Sequence, residues 1–441
     1  MSEARPPAGR RSGTTVAVIC CVAVIFDGYD LSVFATTIPS LLEYEPWRLE
    51  AAQAGVIASY AFMGMLVGTL ICGFATDVLG RRKMLMFSIA WFSIWMLACA
   101  LAPSPELFGL FRLFCGIGLG GLLPTALALT VEFAPRDRRN LFNALVSSGF
   151  SVGTIAASLL ALMLIEPFGF RVMFALGGAA AIVLLPVVHF AMPESVGFLA
   201  AKGRLREARE VAERYGLPEP TEGVDRDARR VRLRDLGRRP LLFVAGVFAL
   251  TTLIGQLFIY GLNTWLPQIM RTAGYPLGSA LSFLATMSVG AIVGATVMSW
   301  FADRFGPRRI AFWGFGIGVL ALLVMSVSPQ IVILYVAVFL AGVGANGTSV
   351  ILNGFVAIWF PAAVRATAMG AIMTVARIGG IIGPIMGGLI IGAELPFQWS
   401  FYAFVVPALI GMCLILTLPR RHLDGRGLAE PERPRRAMTS S

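Results

Sequence analysis

Two aspartates lie in the middle of the first apolar stretch of the sequence. Asp27 and Asp30 are three residues apart in a run, 16–39, that is long enough to cross a bilayer. At that depth each carboxylate costs at least about 2.5 kcal/mol on insertion scales. Because residues three apart share a helical face, the pair predicts a site that handles a proton or a polar substrate.

Two arginines also lie inside apolar runs. Arg112 is about two helical turns from one end of its run, so it either extends to the membrane surface or pairs with an acid. Arg377 is near the centre of another run, where a guanidinium needs a fixed partner or an anionic ligand. We predict that Arg377 binds an anion, and a permanent ion pair with Asp27 or Asp30 is the alternative.

Polar side chains at helical spacing mark the seventh and tenth predicted helices. Gln256, Tyr260 and Asn263 form one stripe, and Asn346 and Asn353 share a face of the other helix. Hydrogen bonds between helices explain such stripes about as well as ligand contacts do. We take these five residues as candidate substrate contacts.

The elements that hold these residues are predicted to be membrane-spanning helices. Of the 441 residues, 57% are hydrophobic and 14% are charged, against about 25% charged in soluble domains. The first apolar run is too long for the core of a cleavable signal peptide and carries two aspartates, so no signal peptide is predicted. Twelve runs have about the length of a spanning helix: 15–39, 53–75, 84–102, 106–133, 141–164, 170–192, 241–267, 280–302, 309–327, 330–358, 366–390 and 398–419.

Basic residues in the short connections predict the orientation. One membrane face carries many of them, and the other carries only Arg48, Arg171 and Arg271. The positive-inside rule assigns the basic side, both termini and the central linker to the cytoplasm. The same asymmetry accounts for the net charge of +11 and argues against nucleic-acid binding. The basic side holds Arg81, Arg82, Lys83, Arg136, Arg138, Arg139, Arg304, Arg308, Arg309 and Arg365.

Cysteine and histidine predict neither a metal site nor a cofactor. The six cysteines lie in apolar runs without zinc-ligand spacing, and the chain has two histidines. No nucleophile and base are arranged for catalysis, which argues against an enzyme. The expected partners are a small solute, protons and the lipid bilayer, and we expect a monomer.

The sequence consists of two copies of one unit, offset by 226 residues. Asp77 and Gly80 correspond to Asp303 and Gly306, and further Arg, Pro and Gly positions match in the same loops. Six helices repeated in parallel is an established transporter plan, with substrate bound between the halves. The predicted fold is all-α, with two pseudo-symmetric six-helix bundles. Its divisions are 1–14 (cytoplasmic segment), 15–192 (first bundle), 193–240 (cytoplasmic linker), 241–419 (second bundle) and 420–441 (disordered cytoplasmic tail).

Polar residues that break the repeat are better candidates for function than residues that both halves share. Asp30 corresponds to Gln256, so the two are expected to face each other across a central cavity. Four other positions change in character: Asp27 corresponds to Leu253, Arg112 to Val338, Arg377 to Ser151 and Glu132 to Ile358.

The connection between the second and third helices carries a charged pattern that recurs in the second half. Residues 73–83 read GFATDVLGRRK, and residues 299–309 read SWFADRFGPRR. Positive-inside charge explains the arginines but neither the aspartates nor the recurrence. The loop resembles the signature of the major facilitator superfamily, which implies that fold over nearly the whole chain and a conformational gate at this face. The gating candidates are Asp77, Arg81, Arg82, Glu132, Arg139, Asp303 and Arg308.

Two further stretches narrow the resemblance. Residues 27–31, DGYDL, are similar to the first-helix signature of the aromatic acid:H+ symporters, and residues 260–267, YGLNTWLP, to the seventh-helix region of their benzoate-type members. The resemblance implies a bacterial inner-membrane symporter for a monocyclic aromatic carboxylate. Benzoate is the first expectation, followed by hydroxybenzoate, gentisate or vanillate.

An anionic aromatic substrate predicts roles for the buried charges, and the resemblance links Arg112 to proton coupling. Asp27, Asp30 and Arg112 are expected to couple protons, while Arg377 and Asp30 bind the substrate and Phe34 lines the ring site. A proton-driven exporter of drugs or metabolites and a membrane sensor of aromatic acids are the rival functions. An antiporter-like glycine pattern lies on the eleventh helix rather than the fifth, which weakens the exporter hypothesis.

Overall fold

The computed structural model of the chain describes residues 13–135, 138–218, 239–327, 330–360 and 362–418. The expected N-terminal segment up to residue 12, linker residues 219–238 and the expected tail from residue 420 lie outside these ranges.

Twelve helices in the described ranges are long and apolar enough to cross a membrane, which confirms the predicted all-α membrane architecture. The first six pack as one bundle, the last six as a second, and two shorter helices lie between them in the chain. In chain order the helices are α1 (Gly13–Leu42), α2 (Ala51–Leu79), α3 (Arg81–Ala100), α4 (Pro105–Phe133), α5 (Arg139–Phe168), α6 (Arg171–Ala191), α7 (Val196–Ala201), α8 (Leu205–Tyr215), α9 (Arg239–Thr272), α10 (Leu277–Phe305), α11 (Pro307–Ser326), α12 (Ile331–Trp359), α13 (Ala362–Gly392) and α14 (Gln398–Thr417).

The two bundles repeat one backbone plan. Helices α10, α11 and α12 begin and end 226 residues after α2, α3 and α4. Close approaches between helices recur at the same offset. A Cβ added to Gly116 would lie 2.1 Å from the carbonyl oxygen of Ala61, and one added to Gly342 would lie 2.0 Å from that of Met287. Glycine is needed at both positions because the helix backbones touch there.

Two tight turns define one membrane face. The α2–α3 turn has Gly80 at φ 95°, and the α10–α11 turn has Gly306 at φ 89°, a conformation that glycine adopts without strain. Arginines follow both turns, so we call this side the basic face. Helices α7 and α8 pack against it, with Ala208 buried and the Tyr215 ring 5.1 Å from the Phe133 ring.

A cavity of about 3320 Å³ lies between the bundles and reaches the basic face, where residues 303–309 form part of its wall. At the opposite face the bundles touch. A Cβ on Gly55 of α2 would lie 2.7 Å from the carbonyl oxygen of Pro384 on α13. Arg271 of α9 also forms an ion pair with Glu43 beyond the end of α1. The structure is therefore open at the basic face and closed at the other.

We expect Gly116→Ala to destabilise the first bundle, because its methyl group would force α4 away from the Ala61 carbonyl on α2. Gly246→Ala on α9 is the matched control, since a Cβ there meets open space and alanine favours a helix. The thermal unfolding midpoint in detergent should fall by several degrees for Gly116→Ala and hold for Gly246→Ala. Equal midpoints in both variants and the wild type would contradict this account of the packing.

Candidate functional site

The first charged cluster is a buried ion pair between α1 and α4. Nη1 of Arg112 lies 2.8 Å from Oδ1 of Asp30, and the two side chains are 1% and 0% exposed. The Cys115 thiol donates to the same Asp30 oxygen at 3.5 Å, and the Arg112 guanidinium lies 5.7 Å from the centre of the Phe34 ring. The sequence left two alternatives for Arg112, extension to the membrane surface or pairing with an acid. The structure shows the pairing.

This ion pair is separate from the central cavity. Asp30 and Phe34 are both buried, and neither borders the cavity wall. The expected placement of Asp30 opposite Gln256 across the cavity is therefore wrong for this conformation, because Asp30 turns toward Arg112 while Gln256 borders the cavity.

Asp27 has a different environment from Asp30. It borders the cavity and is 1% exposed. Within the described ranges, neither of its carboxylate oxygens accepts a hydrogen bond. Such an atom is costly in a membrane interior unless a proton or a ligand compensates it.

Arg377 of α13 also borders this cavity and is partly buried. In the part of the chain that the structure describes, it has neither a hydrogen bond nor an ion pair within 4.0 Å. The alternative of a permanent ion pair between Arg377 and Asp27 or Asp30 is therefore not what the structure shows.

The remaining candidate contacts divide between two spaces. The central cavity is bordered by Gln256, Tyr260, Asn346 and Asn353. Asn263 instead borders a small neighbouring cavity of about 20 Å³, which Asn346 also reaches. The polar stripes on α9 and α12 thus turn mostly toward the central space.

An aromatic pair from the two bundles borders the cavity, and one of its two members was not predicted from the sequence. The rings of Phe62 on α2 and Tyr260 on α9 lie 4.6 Å apart. A Cβ on Gly380 would lie 3.1 Å from each ring, so glycine leaves room for them. Phe62 gave no sequence signal, because one phenylalanine in an apolar run has many possible neighbours.

The gating candidates all lie at the basic face. Arg81 donates to Glu132 at 2.6 Å, and Glu132 also accepts from the Ser195 hydroxyl at 3.0 Å and the Gly197 amide at 2.9 Å. Glu132 therefore joins α4, the α2–α3 turn and the start of α7. Ser195 was not a sequence candidate, because its contact depends on how the linker docks.

Arg82 makes a second connection to the linker. Its amide donates to Glu194 at 3.1 Å, and its guanidinium donates to the carbonyl of His189 on α6. In the second bundle, Arg308 donates to the Ile415 carbonyl on α14, and Asp303 borders the mouth of the cavity.

Two further gating candidates lie at helix ends on the same face. Asp77 is in the last turn of α2, and Arg139 begins α5. Their role in gating stays a prediction.

Comparison with known proteins gives a family match over most of the chain. A family model described as Major Facilitator Superfamily matches residues 20–297 and 279–440. The chain is 36% identical over 400 residues to a gentisate transporter of Corynebacterium glutamicum, covering 90% of this chain and 85% of the relative. A benzoate transport protein of Acinetobacter baylyi is 28% identical, with 92% and 90% covered. A gallate transporter of Pseudomonas putida is 30% identical, with 91% and 90% covered.

Solved structures share the fold. The inward open conformation of the xylose transporter XylE from E. coli matches with a TM-score of 0.71 at 14% identity, over 94% of this chain and 98% of that one. A bacterial homolog of the human lysosomal transporter Spinster matches with a TM-score of 0.70 at 18% identity, over 92% and 95%. At this level of identity the likeness concerns the fold alone.

We expect Arg112 to be needed for folding and Arg377 to be dispensable for it. Arg112→Gln leaves a buried carboxylate at Asp30 without its cation, which costs about 3–5 kcal/mol. The double variant Asp30→Asn/Arg112→Gln removes both charges and should recover most of that stability. Arg377→Gln, which breaks no ion pair, is the matched control. Thermal unfolding in detergent checks all three, and a double variant no more stable than Arg112→Gln would contradict the assignment.

Proposed function

The chain belongs to the Major Facilitator Superfamily, and on that premise we propose that it imports a monocyclic aromatic carboxylate together with protons. It is a transporter and not an enzyme, and its sequence relatives match the aromatic acid:H+ symporter family that the sequence predicted. One observation carries the proposal. The guanidinium of Arg377 and the carboxylate of Asp27 border one central cavity, and among the described residues neither makes a hydrogen bond or an ion pair within 4.0 Å.

Arg377 is the proposed anchor for the substrate carboxylate. A guanidinium presents a planar fork of donors that matches a carboxylate in two parallel hydrogen bonds. An anion beside Arg377 also offsets the cost of its charge within the membrane. Phe62 and Tyr260 supply an aromatic wall close by, which suits a flat ring. The relatives named for gentisate, benzoate and gallate transport support this class of substrate.

Asp27 is the proposed proton carrier. An aromatic acid is an anion at neutral pH, and its entry against an inside-negative potential costs about 2.3 kcal/mol per charge per 100 mV. A proton that travels with the anion cancels this cost. Asp27 suits the role better than Asp30, because Asp30 already pairs with Arg112 whereas Asp27 borders the cavity without a described partner.

Alternating access fits the arrangement of the two bundles. If the basic face is cytoplasmic, as the positive-inside rule indicates, the structure is open to the inside and both termini are cytoplasmic. We place the protein in the bacterial inner membrane. Release of the α2–α13 contact at Gly55 and of the Glu43–Arg271 ion pair would open the other side. Helices α7 and α8 should move with the first bundle, because Glu132 accepts from Ser195.

We expect Arg377→Gln to abolish binding of aromatic acids while the protein stays folded. Arg377→Lys should also bind poorly, because an ammonium cannot reproduce the planar fork. Isothermal titration of benzoate, hydroxybenzoates and gentisate into detergent-purified protein measures the loss. The neutral analogue benzamide serves as a control, and its affinity should change little. Acid affinity within about threefold of wild type, well under the 1.4 kcal/mol of a tenfold change, would contradict the anchor.

We expect Asp27→Asn to retain substrate exchange and to lose substrate accumulation. An amide cannot titrate, so proteoliposomes with this variant should exchange internal for external substrate but fail to concentrate it under an imposed proton gradient. Glu166→Gln, which changes an exposed acid near the end of α5, is the matched control and should accumulate substrate normally. Full concentrative uptake by Asp27→Asn would show that the proton travels elsewhere.

A further inference from the structure

Several polar atoms in the cavity region have no partner among the described residues, and hydrogen-bond acceptors dominate this set. They include both carboxylate oxygens of Asp27, the side-chain oxygen of Asn353 and the hydroxyl of Ser349. All three residues border the central cavity. A buried acceptor without a donor is unfavourable. The complementary ligand therefore brings hydrogen-bond donors as well as an anion.

An unsubstituted aromatic carboxylate meets only half of this requirement. Its carboxylate pairs with a guanidinium, but it carries no hydrogen-bond donor of its own. Bound beside Arg377, it would leave the oxygens of Asp27 without a hydrogen-bond donor. A hydroxyl group on the ring supplies the missing donor, and it adds little volume.

We propose that Asp27 is a specificity residue that accepts a hydrogen bond from a hydroxyl group on the substrate ring, so that hydroxylated aromatic acids are preferred over benzoate. The inference rests on the proposed function, since it needs Arg377 to hold the carboxylate of the same ligand. It reverses the order of substrates expected from the sequence, where benzoate came first.

Asp27 suits this role better than the amide and hydroxyl acceptors of the cavity wall, which are Asn143, Ser349 and Asn353. Asp27 borders the same cavity as Arg377 and the Tyr260 phenol. A ligand held by Arg377 therefore lies in the space that Asp27 borders. While Asp27 is unprotonated, a hydrogen bond to its carboxylate is also stronger than one to an amide or a hydroxyl.

The role is compatible with proton coupling at the same carboxyl group. A protonated carboxyl keeps acceptor capacity on its second oxygen, so it still receives a hydrogen bond from a ring hydroxyl. Asparagine likewise keeps one acceptor oxygen, whereas leucine has a similar size and none. The two substitutions therefore separate hydroxyl recognition from proton carriage.

The test compares affinities by isothermal titration in detergent. The ligands are benzoate, its three monohydroxy isomers and the three corresponding methoxybenzoates, which carry an ether oxygen and no donor on the ring. In the wild type, at least one hydroxy isomer should bind about tenfold more tightly than benzoate, as a hydrogen bond to a charged acceptor predicts. Its methoxy counterpart should show no such gain.

Three variants locate the effect. Asp27→Leu should bring the ratio of hydroxybenzoate to benzoate affinity close to one, while Asp27→Asn retains a clear preference. Ser148→Ala is the matched control. It changes a hydroxyl in the same cavity wall that already donates to the Leu145 carbonyl at 2.8 Å, so the preference should hold.

The outcomes distinguish this inference from the proposed function. If the wild type binds benzoate and the hydroxy isomers equally, or if Asp27→Leu keeps the wild-type ratio, Asp27 does not read the hydroxyl group. If no aromatic acid binds the wild type, the proposed function itself fails. The comparison of hydroxy and methoxy ligands needs only wild-type protein. It can therefore contradict the inference even if a variant misfolds.

Discussion

The Asp30–Arg112 ion pair determines which charges of the membrane interior remain for a ligand. Four acids and bases lie within the membrane-spanning helices, namely Asp27, Asp30, Arg112 and Arg377, and a charge without a partner is costly there. The thiol of Cys115 also donates to Asp30, and the Phe34 ring lies beside Arg112. Because Asp30 pairs with Arg112, Arg377 has no acid in contact among the described residues, and the cavity wall carries a cation that an anion from solution can meet.

The site is divided between the moving parts of the protein. Asp27 and Phe62 belong to the first bundle, and Tyr260 and Arg377 to the second. A ligand that contacts both sets stabilises one relative position of the bundles, so binding and conformational change are coupled through the same side chains. The Phe62–Tyr260 ring contact also lies across this division, and it must adjust whenever the bundles move.

Much of this arrangement could be predicted from the sequence because charge is rare within a membrane. An aspartate or arginine in an apolar run is conspicuous, and the 226-residue repeat identified Asp27 and Arg377 as departures from the scaffold. The helices followed from the lengths of the apolar runs. Local patterns of this kind depend only on residues near one another in the chain.

The choice of partners could not be predicted in the same way. Arg112 and Arg377 are both basic residues in apolar runs, and only tertiary packing shows that α4 brings Arg112 against Asp30 whereas α13 leaves Arg377 at the cavity. Phe62 was hidden for a similar reason, since its role depends on meeting a ring from the other bundle. The contact between Glu132 and Ser195 depends on how the linker folds back onto the basic face.

The repeat bears on why only one of the two bundles carries an arginine at the cavity position of Arg377. Ser151, the counterpart of Arg377, also borders the cavity, so the duplicated scaffold presents equivalent positions on both sides of one space. Arginine at both positions would place two like charges in a cavity of low dielectric constant, where their repulsion and desolvation add. In the proposed function, one cation and one titratable carboxyl group let the cavity hold an anion and a proton with no net charge added. A carrier loaded in this way can reorient across the membrane without working against its potential.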